Sequence, residues 1–181
     1  MNFIKGDIEG LWIIEPKVFG DHRGYFFESF QKKKFSEETG FHLDFVQDNE
    51  SFSSKGVLRG LHFQKPPHAQ GKLVRVIQGS VLDVAVDIRK DSPTYGKHQS
   101  VIISAENKKQ FFIPPGFAHG FLTLEDNTIF SYKCTDYYHP ETEGAIAWFD
   151  ETLNIDWGKI QPTISEKDKE AERFCNFSTP F

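Results

Sequence analysis

The sequence predicts an all-β sandwich or barrel with short flanking helices, and three observations support this prediction. Short β-prone segments bounded by Gly, Pro and Asp turns recur along the chain, without the strand–helix alternation of α/β proteins. One of them, residues 81–88, alternates between faces throughout its length. The chain has 181 residues, 19 of them Phe, which is enough for one substantial core and short for two. We therefore expect a single domain over residues 1–181.

The predicted strands are short and evenly spread. They cover residues 11–14, 25–29, 73–77, 81–88, 98–104, 111–113, 128–134 and 145–149. Within residues 81–88 the aliphatic side chains at positions 82, 84, 86 and 88 share one face, and Asp83 and Asp87 lie on the other.

Two segments predict helices. Residues 31–39 follow Ser29 and end at Gly40, a residue that commonly terminates helices. Residues 167–174 follow Ser165, which is a good N-cap.

Composition excludes several classes of protein. A net charge of −5 argues against general affinity for nucleic acid. No apolar run approaches membrane-spanning length. Cys134 and Cys175 are too few for a disulfide framework and fit a reducing compartment. We expect a cytoplasmic protein that binds neither nucleic acid nor a membrane.

The stretch LRGLHFQKPPHAQGK, residues 58–72, is unusually rich in imidazole and cationic groups. It contains Arg59, His62, His68 and Lys72 just before an apolar strand. Burying such groups costs several kcal/mol each unless they are paired. Cations beside a candidate base indicate a site for an anionic substrate that loses a proton.

Two patterns resemble the cupin motifs, namely Lys72 with Gly79, and Pro114 with Gly116 and His119. A metal-binding cupin carries three His and one carboxylate. Here Lys72 stands at the carboxylate position, and Pro66 and His68 at two of the His positions. Proline and a cationic lysine cannot be ligands. The resemblance predicts a cupin-type jelly-roll without its metal, with His68 as an exposed loop residue that binds no ion.

A closer resemblance covers nearly the whole chain. The motifs are RGLHFQ (59–64), QGKLVRV (70–76), DVAVDIR (83–89), SPTYG (92–96), PPGFAHGF (114–121), YKCTDYY (132–138) and SEKD (165–168). Together they resemble the dTDP-4-dehydrorhamnose 3,5-epimerase family. This resemblance implies an isomerase without a cofactor, which inverts C3 and C5 of dTDP-4-dehydro-6-deoxy-D-glucose. The product, dTDP-4-dehydro-L-rhamnose, leads to dTDP-L-rhamnose and cell-surface polysaccharide.

The chemistry suggests roles for particular residues. Hydrogens at C3 and C5 are α to the C4 carbonyl, so inversion needs a base, an acid on the opposite face and stabilisation of the enolate. An imidazole exchanges protons near neutral pH, which makes His62 the candidate base. The resemblance implies that Asp168 orients it, Tyr132 is the acid, and Lys72 and His119 stabilise the enolate oxygen.

Each of these residues also has a structural interpretation. Asp168 lies three residues after Ser165 in a capping-box arrangement. Tyr132 could be an ordinary strand aromatic, Lys72 a solvated edge lysine and His119 a buried imidazole with its hydrogen bonds satisfied. For Asp168 the two roles are compatible.

Arg59 is expected to bind the diphosphate, because a guanidinium matches phosphate oxygens. Strict alternation would place Arg59 and His62 on opposite faces of a strand. We therefore predict a bulge or strand end near Gly60.

The remaining substrate contacts are implied by the resemblance alone. They are Arg23, Glu28, Gln47, Asp48, Asn49, Glu143, Lys167 and Tyr138, with the ring of Tyr138 stacked on thymine. The resemblance also implies a homodimer that exchanges N-terminal strands, so that Arg23 and Glu28 reach the partner's site. Asp83 stays unassigned: it could orient His119 or pair with a neighbouring cation.

Other functions remain open at this point. One is a related dTDP-sugar 3- or 5-epimerase or ketoisomerase, and another is a non-catalytic sugar-nucleotide binding cupin. A metal-dependent cupin oxygenase is weaker. The presence of both His62 and Tyr132 favours double inversion.

Overall fold

The computed structural model describes residues 1–181 and consists mainly of β-strands. The strands are β1 (Asn2–Lys5), β2 (Trp12–Glu15), β3 (Phe19–Asp21), β4 (Gly24–Phe26), β5 (Gln47–Ser53), β6 (Leu58–Gln64), β7 (Lys72–Gln78), β8 (Ser80–Asp87), β9 (His98–Ser104), β10 (Gln110–Ile113), β11 (Phe117–Thr123), β12 (Thr128–Cys134) and β13 (Glu143–Ala145). The helices are α1 (Lys32–Thr39) and α2 (Glu166–Lys169), with 3₁₀ turns at Pro140–Thr142 and Phe174–Asn176. None of these helices has the length and apolarity needed to cross a membrane.

The strands form two antiparallel sheets and a separate hairpin. The six-stranded sheet has the order β1-β2-β10-β7-β12-β5, and the five-stranded sheet has the order β13-β6-β11-β8-β9. Strands β3 and β4 pair only with each other. This arrangement confirms the predicted all-β sandwich or barrel.

A core of apolar side chains fills the space between the two sheets. The six-stranded sheet contributes Val74, Phe111 and Phe130, and the five-stranded sheet contributes Ala85 and Ile103 among others. All are nearly inaccessible to solvent. Because strand side chains alternate between faces, each sheet also presents an apolar outer surface that must be covered.

Irregular segments cover both outer surfaces. The chain after β13 packs Leu153, Trp157 and Phe174 on the five-stranded sheet. On the six-stranded sheet, Phe35 of α1 packs edge-on against Phe112, with ring centroids 4.9 Å apart. The phenylalanine-rich composition is thus divided among three layers, one inside the barrel and two outside.

Most predicted strands lie close to their observed positions. Residues 98–104 and 128–134 match, and the segment predicted at 145–149 pairs instead at Glu143–Ala145. The predicted strand 25–29 ends at Phe26. Strands β1, β3, β5, β6 and β11 were not among the predicted segments.

Both helices differ from expectation at their boundaries. The N-cap of α1 is Gln31 rather than Ser29, because its side chain accepts a hydrogen bond from the Lys34 backbone N–H. Gly40 ends this helix at φ 77°, as predicted. Helix α2 begins at the Ser165 cap as expected but stops after one turn, so the prediction of helix to residue 174 is wrong.

Strand β8 confirms the predicted alternation, but both of its faces are buried. The aliphatic residues at 82, 84, 86 and 88 pack in the layer outside the five-stranded sheet. The opposite face, bearing Asp83 and Asp87, is buried instead of solvated, and both carboxylates are inaccessible to solvent. Burial on that face requires each carboxylate to have partners.

Asp87 gives a testable contribution to acid stability. Burial raises its pKa, but hydrogen bonds from Arg89, Ser92 and Thr94 outweigh burial and lower the pKa to about 2. A depressed pKa stabilises the folded state above the unfolded value of 3.8, and this stabilisation is lost as pH falls through 2. We expect Asp87 to contribute about 2 kcal/mol to the free energy of unfolding at neutral pH, and this contribution to be lost in acid.

Urea unfolding of the wild type and Asp87→Asn at pH 6 and pH 2.5 measures this contribution. The wild type should lose more stability on acidification than the variant, whereas Asp91→Asn, at an exposed position, should behave as the wild type does. Equal acid losses in the wild type and Asp87→Asn would contradict the assignment.

The predicted irregularity in β6 is a β-bulge. His62 pairs with His119 and Arg59 pairs with Phe121, so Gly60 and Leu61 both face the single residue Gly120. The extra residue returns Arg59 and His62 to the same face. Gly60 adopts φ 135°, and a Cβ there would lie 2.5 Å from the Gly120 Cα, so only glycine fits.

Candidate active site

A cavity of about 630 Å³ opens between the two sheets. Strands β6 and β11 form one wall, β5, β7 and β12 form the other, and residues 163–168 close one side. Its polar lining includes Asn49, Arg59, His62, Lys72, His119, Tyr132, Lys167 and Asp168. Eight of the predicted site residues therefore meet in one cavity, although they come from six segments of the chain.

His62 and Asp168 are in direct hydrogen-bond contact in the cavity. His62 Nε2 lies 2.5 Å from Asp168 Oδ1. The imidazole is 29% exposed toward the cavity, whereas the carboxylate is only 3% exposed. A buried carboxylate on one ring nitrogen fixes the ring orientation and leaves the other nitrogen for proton transfer.

The position of Asp168 follows from the chain before it. Thr163 bridges to Val57 in parallel, and its carbonyl accepts from the Leu58 N–H at 3.0 Å. This pairing brings α2 against β6. Ser165 then caps the helix by accepting from the Asp168 N–H at 3.2 Å. Asp168 is therefore held by the cap while its carboxylate contacts His62, so both predicted roles coexist.

Asp168 remains ionised despite its burial. Burial raises the pKa of its carboxyl, but hydrogen bonds with His62 and Ser165 and from the Gly60 backbone N–H together lower it below the ordinary value. The Gly60 contact links the bulge directly to this pair.

His119 pairs with His62 across strands β11 and β6, and Asp83 orients its ring. His119 Nε2 is 3.0 Å from both oxygens of Asp83, a carboxylate with no solvent exposure. Burial lowers the pKa of His119, with Asp83 opposing this effect. The ring nitrogen facing a carboxylate carries the proton, so Nδ1 is the nitrogen left for a ligand. Of the two roles considered for Asp83, the structure places it with His119.

Lys72 projects from the first position of β7 into the cavity. Desolvation lowers the pKa of its amine below the ordinary value, and the nearby Cys134, Asp83 and Glu143 oppose this effect without outweighing it. The side chain of Lys72 lines the cavity and is half-buried, so Lys72 is not a solvated edge lysine. A desolvated ammonium interacts strongly with negative charge that develops nearby.

Tyr132 comes from the sheet opposite His62. The Lys72 Nζ lies 6.0 Å from the centroid of its ring, and Phe130 packs against it at 5.9 Å. Burial raises the pKa of its phenol, with Arg59 and a hydrogen bond to Asn49 opposing. Tyr132 is thus a protonated phenol at neutral pH, able to donate.

A second polar group lies beside the cavity. Glu143 pairs with Lys167 and accepts a hydrogen bond from the Tyr138 hydroxyl at 2.8 Å. Gln47 donates to Asn49 Oδ1 at 3.1 Å and accepts from the Tyr138 backbone N–H at 3.0 Å. These contacts extend the charged site toward the exposed ring of Tyr138.

Three predicted side chains lie apart from the cavity. Asp48 points to the face of β5 opposite to that of Gln47 and Asn49. Its Oδ1 lies 3.0 Å from Lys133 Nζ. Arg23 is on the β3–β4 hairpin, where it pairs with Asp21, and Glu28 is exposed after that hairpin. Among the cupin positions, Lys72 is inside the cavity, whereas Pro66 and His68 are in the loop after β6. The predicted exposure of His68 is wrong: its side chain is only 33% exposed, because it pairs with Asp136 and stacks on the ring of His139.

Several lining residues were not predicted. Phe121 and Phe130 stack across the barrel with ring centroids 4.1 Å apart and form an apolar part of the lining. The Ser51 hydroxyl faces the cavity and is buried without a partner. Alternation along β12 could have identified Phe130 from Tyr132. Ser51 gave no signal, because its segment was not predicted as a strand.

The fold and the residues of this cavity are those of a cupin-type barrel enzyme of the isomerase class. Its imidazoles, phenol and cations suit proton transfer on an anionic substrate. A model of the family described as dTDP-4-dehydrorhamnose 3,5-epimerase matches residues 5–176. The dTDP-4-dehydrorhamnose 3,5-epimerase of Shigella flexneri is 55% identical over 176 residues, 97% of both chains. The chain belongs to the dTDP-4-dehydrorhamnose 3,5-epimerase family.

Two solved structures show how far the fold is shared. The dTDP-6-deoxy-D-glucose-3,5-epimerase of Legionella pneumophila, in complex with dTDP-4-keto-L-rhamnose, has a TM-score of 0.94 at 54% identity and covers 98% of this chain and 94% of that one. A 3'-monoepimerase of Streptomyces bikiniensis in complex with dTDP-quinovose has a TM-score of 0.88 at 35% identity, covering 92% and 85%. The same barrel therefore occurs in enzymes named for one inversion and for two.

Proposed function

We propose that this protein is a dTDP-4-dehydrorhamnose 3,5-epimerase that converts dTDP-4-dehydro-6-deoxy-D-glucose into dTDP-4-dehydro-L-rhamnose. The observation that supports this most directly is the placement of His62 and Tyr132 on facing sheets across one cavity. A base and an acid on opposite sides of a sugar ring are what inversion through an enolate requires.

His62 accepts the proton from C5, and in the second inversion from C3. Asp168 lies 2.5 Å from His62 Nε2, so a carboxylate is next to the imidazolium that forms and holds the ring in place. The electron pair of the broken C–H bond moves into the C4 carbonyl and produces an enolate oxygen. Tyr132 then donates its proton to the opposite face of the same carbon, and exchange with solvent restores both residues.

Lys72 and His119 bind the enolate oxygen. Lys72 supplies a positive charge where little water can compete. His119 can donate from Nδ1 only as an imidazolium, because Nε2 already faces Asp83. Asp83 and the developing negative charge both favour that state.

The diphosphate and nucleotide bind toward the cavity opening. Arg59 and Lys167 line the cavity and are suited to phosphate oxygens. The exposed ring of Tyr138 is available to stack on the base, and Glu143 holds its hydroxyl. Gln47 and Asn49 lie on the same side and provide further polar contacts.

Incubation with dTDP-4-dehydro-6-deoxyglucose in D₂O tests the reaction, with deuterium located by NMR. We expect uptake at both C3 and C5. Uptake at C3 alone would indicate the single inversion for which the Streptomyces bikiniensis neighbour is named. Absence of uptake at either carbon would reject an epimerase and favour a binding protein.

Replacing Tyr132 with phenylalanine should separate proton abstraction by His62 from proton donation to the opposite face. His62 is unchanged, so proton abstraction and exchange with solvent should continue, while product formation falls by about 10²-fold or more. Phenylalanine keeps the contact with Phe130, so folding should be preserved. If the variant binds and turns over substrate as the wild type does, Tyr132 is not the acid.

We also propose that the protein acts in the cytoplasm as a homodimer that exchanges its N-terminal hairpin. The β3–β4 hairpin exposes Phe19, Tyr25 and Phe26 by 54%, 61% and 70%, a large apolar surface for a free monomer. Arg23 on this hairpin lies outside the cavity of its own chain, so exchange would let it and Glu28 reach the partner's substrate. Light scattering, and partial recovery of activity on mixing Arg23→Ala with His62→Ala, test this arrangement.

A further inference from the structure

His68, Asp136 and His139 form a polar cluster outside the catalytic cavity. The ligand-type atoms of all three lie within 4.8 Å of one another. His68 comes from the loop after β6, whereas Asp136 and His139 come from the loop after β12. None of the three lines the cavity of His62, and the proposed reaction gives them no role.

We propose that His68, Asp136 and His139 bind a divalent transition-metal ion such as Zn²⁺ or Co²⁺. Two imidazoles and one carboxylate match the preference of these ions for nitrogen and oxygen ligands. Mg²⁺ and Ca²⁺ prefer oxygen ligands throughout and should bind poorly.

The spacing of His68 and Asp136 suits a shared ion. His68 Nδ1 lies 3.2 Å from Asp136 Oδ2. Two ligands on a tetrahedral zinc with bonds of 2.0–2.1 Å are separated by about 3.4 Å. An ion can therefore replace the proton between these two atoms with little displacement of either side chain.

His139 needs one rotation to join them. Its ring stacks on His68 with centroids 3.5 Å apart and an interplanar angle of 12°. A nitrogen ligand binds an ion in the plane of its ring, so two parallel rings cannot both face one ion. The side chains are 33% and 31% exposed, which leaves room for one ring to turn. Glu141, 3.1 Å from His139 Nδ1, is placed to orient that ring or complete the coordination.

The backbone of the cluster is already fixed by two glutamines. Gln64, only 4% exposed, donates to the His68 carbonyl at 2.9 Å and accepts from the His139 N–H at 2.6 Å. Gln70 donates to the Asp136 carbonyl at 2.8 Å. These bonds hold all three ligand residues without an ion, so binding requires side-chain rotation and no rearrangement of the loops.

Two titrations of the metal-free full-length protein test the proposal. Binding of ZnCl₂ is measured by calorimetry, and binding of CoCl₂ is measured from the visible absorption bands of four-coordinate Co²⁺. We expect one ion per chain and an affinity at least about tenfold weaker in His139→Ala and in His68→Ala. His42→Ala, at an exposed position after α1, should bind as the wild type does. MgCl₂ should give no binding in the same range.

Two outcomes would overturn the proposal. One is an affinity that His68→Ala and His139→Ala leave unchanged. The other is binding that disappears in His62→Ala and persists in His139→Ala, which would place the ion in the catalytic cavity. Circular dichroism of each variant verifies the fold, and the backbone bonds to Gln64 are retained in His139→Ala.

Discussion

Replacing His62 with alanine is expected to abolish deuterium uptake at both C3 and C5, with kcat reduced by about 10³-fold or more. Both inversions begin with the same base, so neither carbon should exchange. The effect should exceed that of Tyr132→Phe, in which abstraction persists. NMR in D₂O under the conditions used for the wild type measures it.

A loss of activity must be separated from a loss of folding. Asp168 is 3% exposed, and removing His62 leaves its carboxylate without its main partner. An unpaired buried polar group costs about 1–3 kcal/mol. The double variant His62→Ala/Asp168→Asn should recover stability and stay inactive, while His42→Ala should retain full activity. Retained exchange at either carbon in His62→Ala would remove His62 as the common base.

Replacing Lys72 with methionine is expected to reduce kcat by about 10²- to 10³-fold while changing KM much less. Methionine has a similar length, so the change mainly removes the charge that the enolate oxygen requires. Asp83 and Glu143, whose negative charges raise the pKa of Lys72, would then lack that nearby cation. Steady-state kinetics and deuterium exchange should fall together, since the enolate itself is destabilised.

Two other lysines provide controls for this result. Lys167→Met should raise KM more than it lowers kcat, because Lys167 pairs with Glu143 on the nucleotide side of the cavity. Lys97→Met, at an exposed position before β9, should change neither parameter. If Lys72→Met showed the pattern expected for Lys167→Met, Lys72 would bind substrate without stabilising the enolate.

The bulge at Gly60 shows what the sequence alone could predict. Arg59 and His62 are three residues apart, and one site could use both only if the alternation of the strand was broken between them. A glycine stood at that point. The class of fold was also predictable, because eight segments had the composition and length of strands.

Other features depend on contacts that the local sequence does not encode. Strand β5 has the sequence QDNESFS, and one of its faces lines the cavity, so it lacks the apolar alternation by which a strand is predicted. The interior position of Asp83 and Asp87 depends on which face of β8 meets the opposite sheet. Helix α2 ends after Lys169, and its Asp168 contacts His62, 106 residues away in sequence, a contact that the local sequence does not indicate.

The separation of His62 and Asp168 has a consequence for synthesis of the protein. All thirteen strands end by Ala145, so a ribosome has made both sheets before it reaches residue 168. The strands that carry Lys72, His119 and Tyr132 are therefore synthesised before the carboxylate that orients the base. The same late segment supplies Lys167 to the cavity and Phe174 to the outer face of the five-stranded sheet, so its docking completes the base, the phosphate side of the site and the cover of the barrel together.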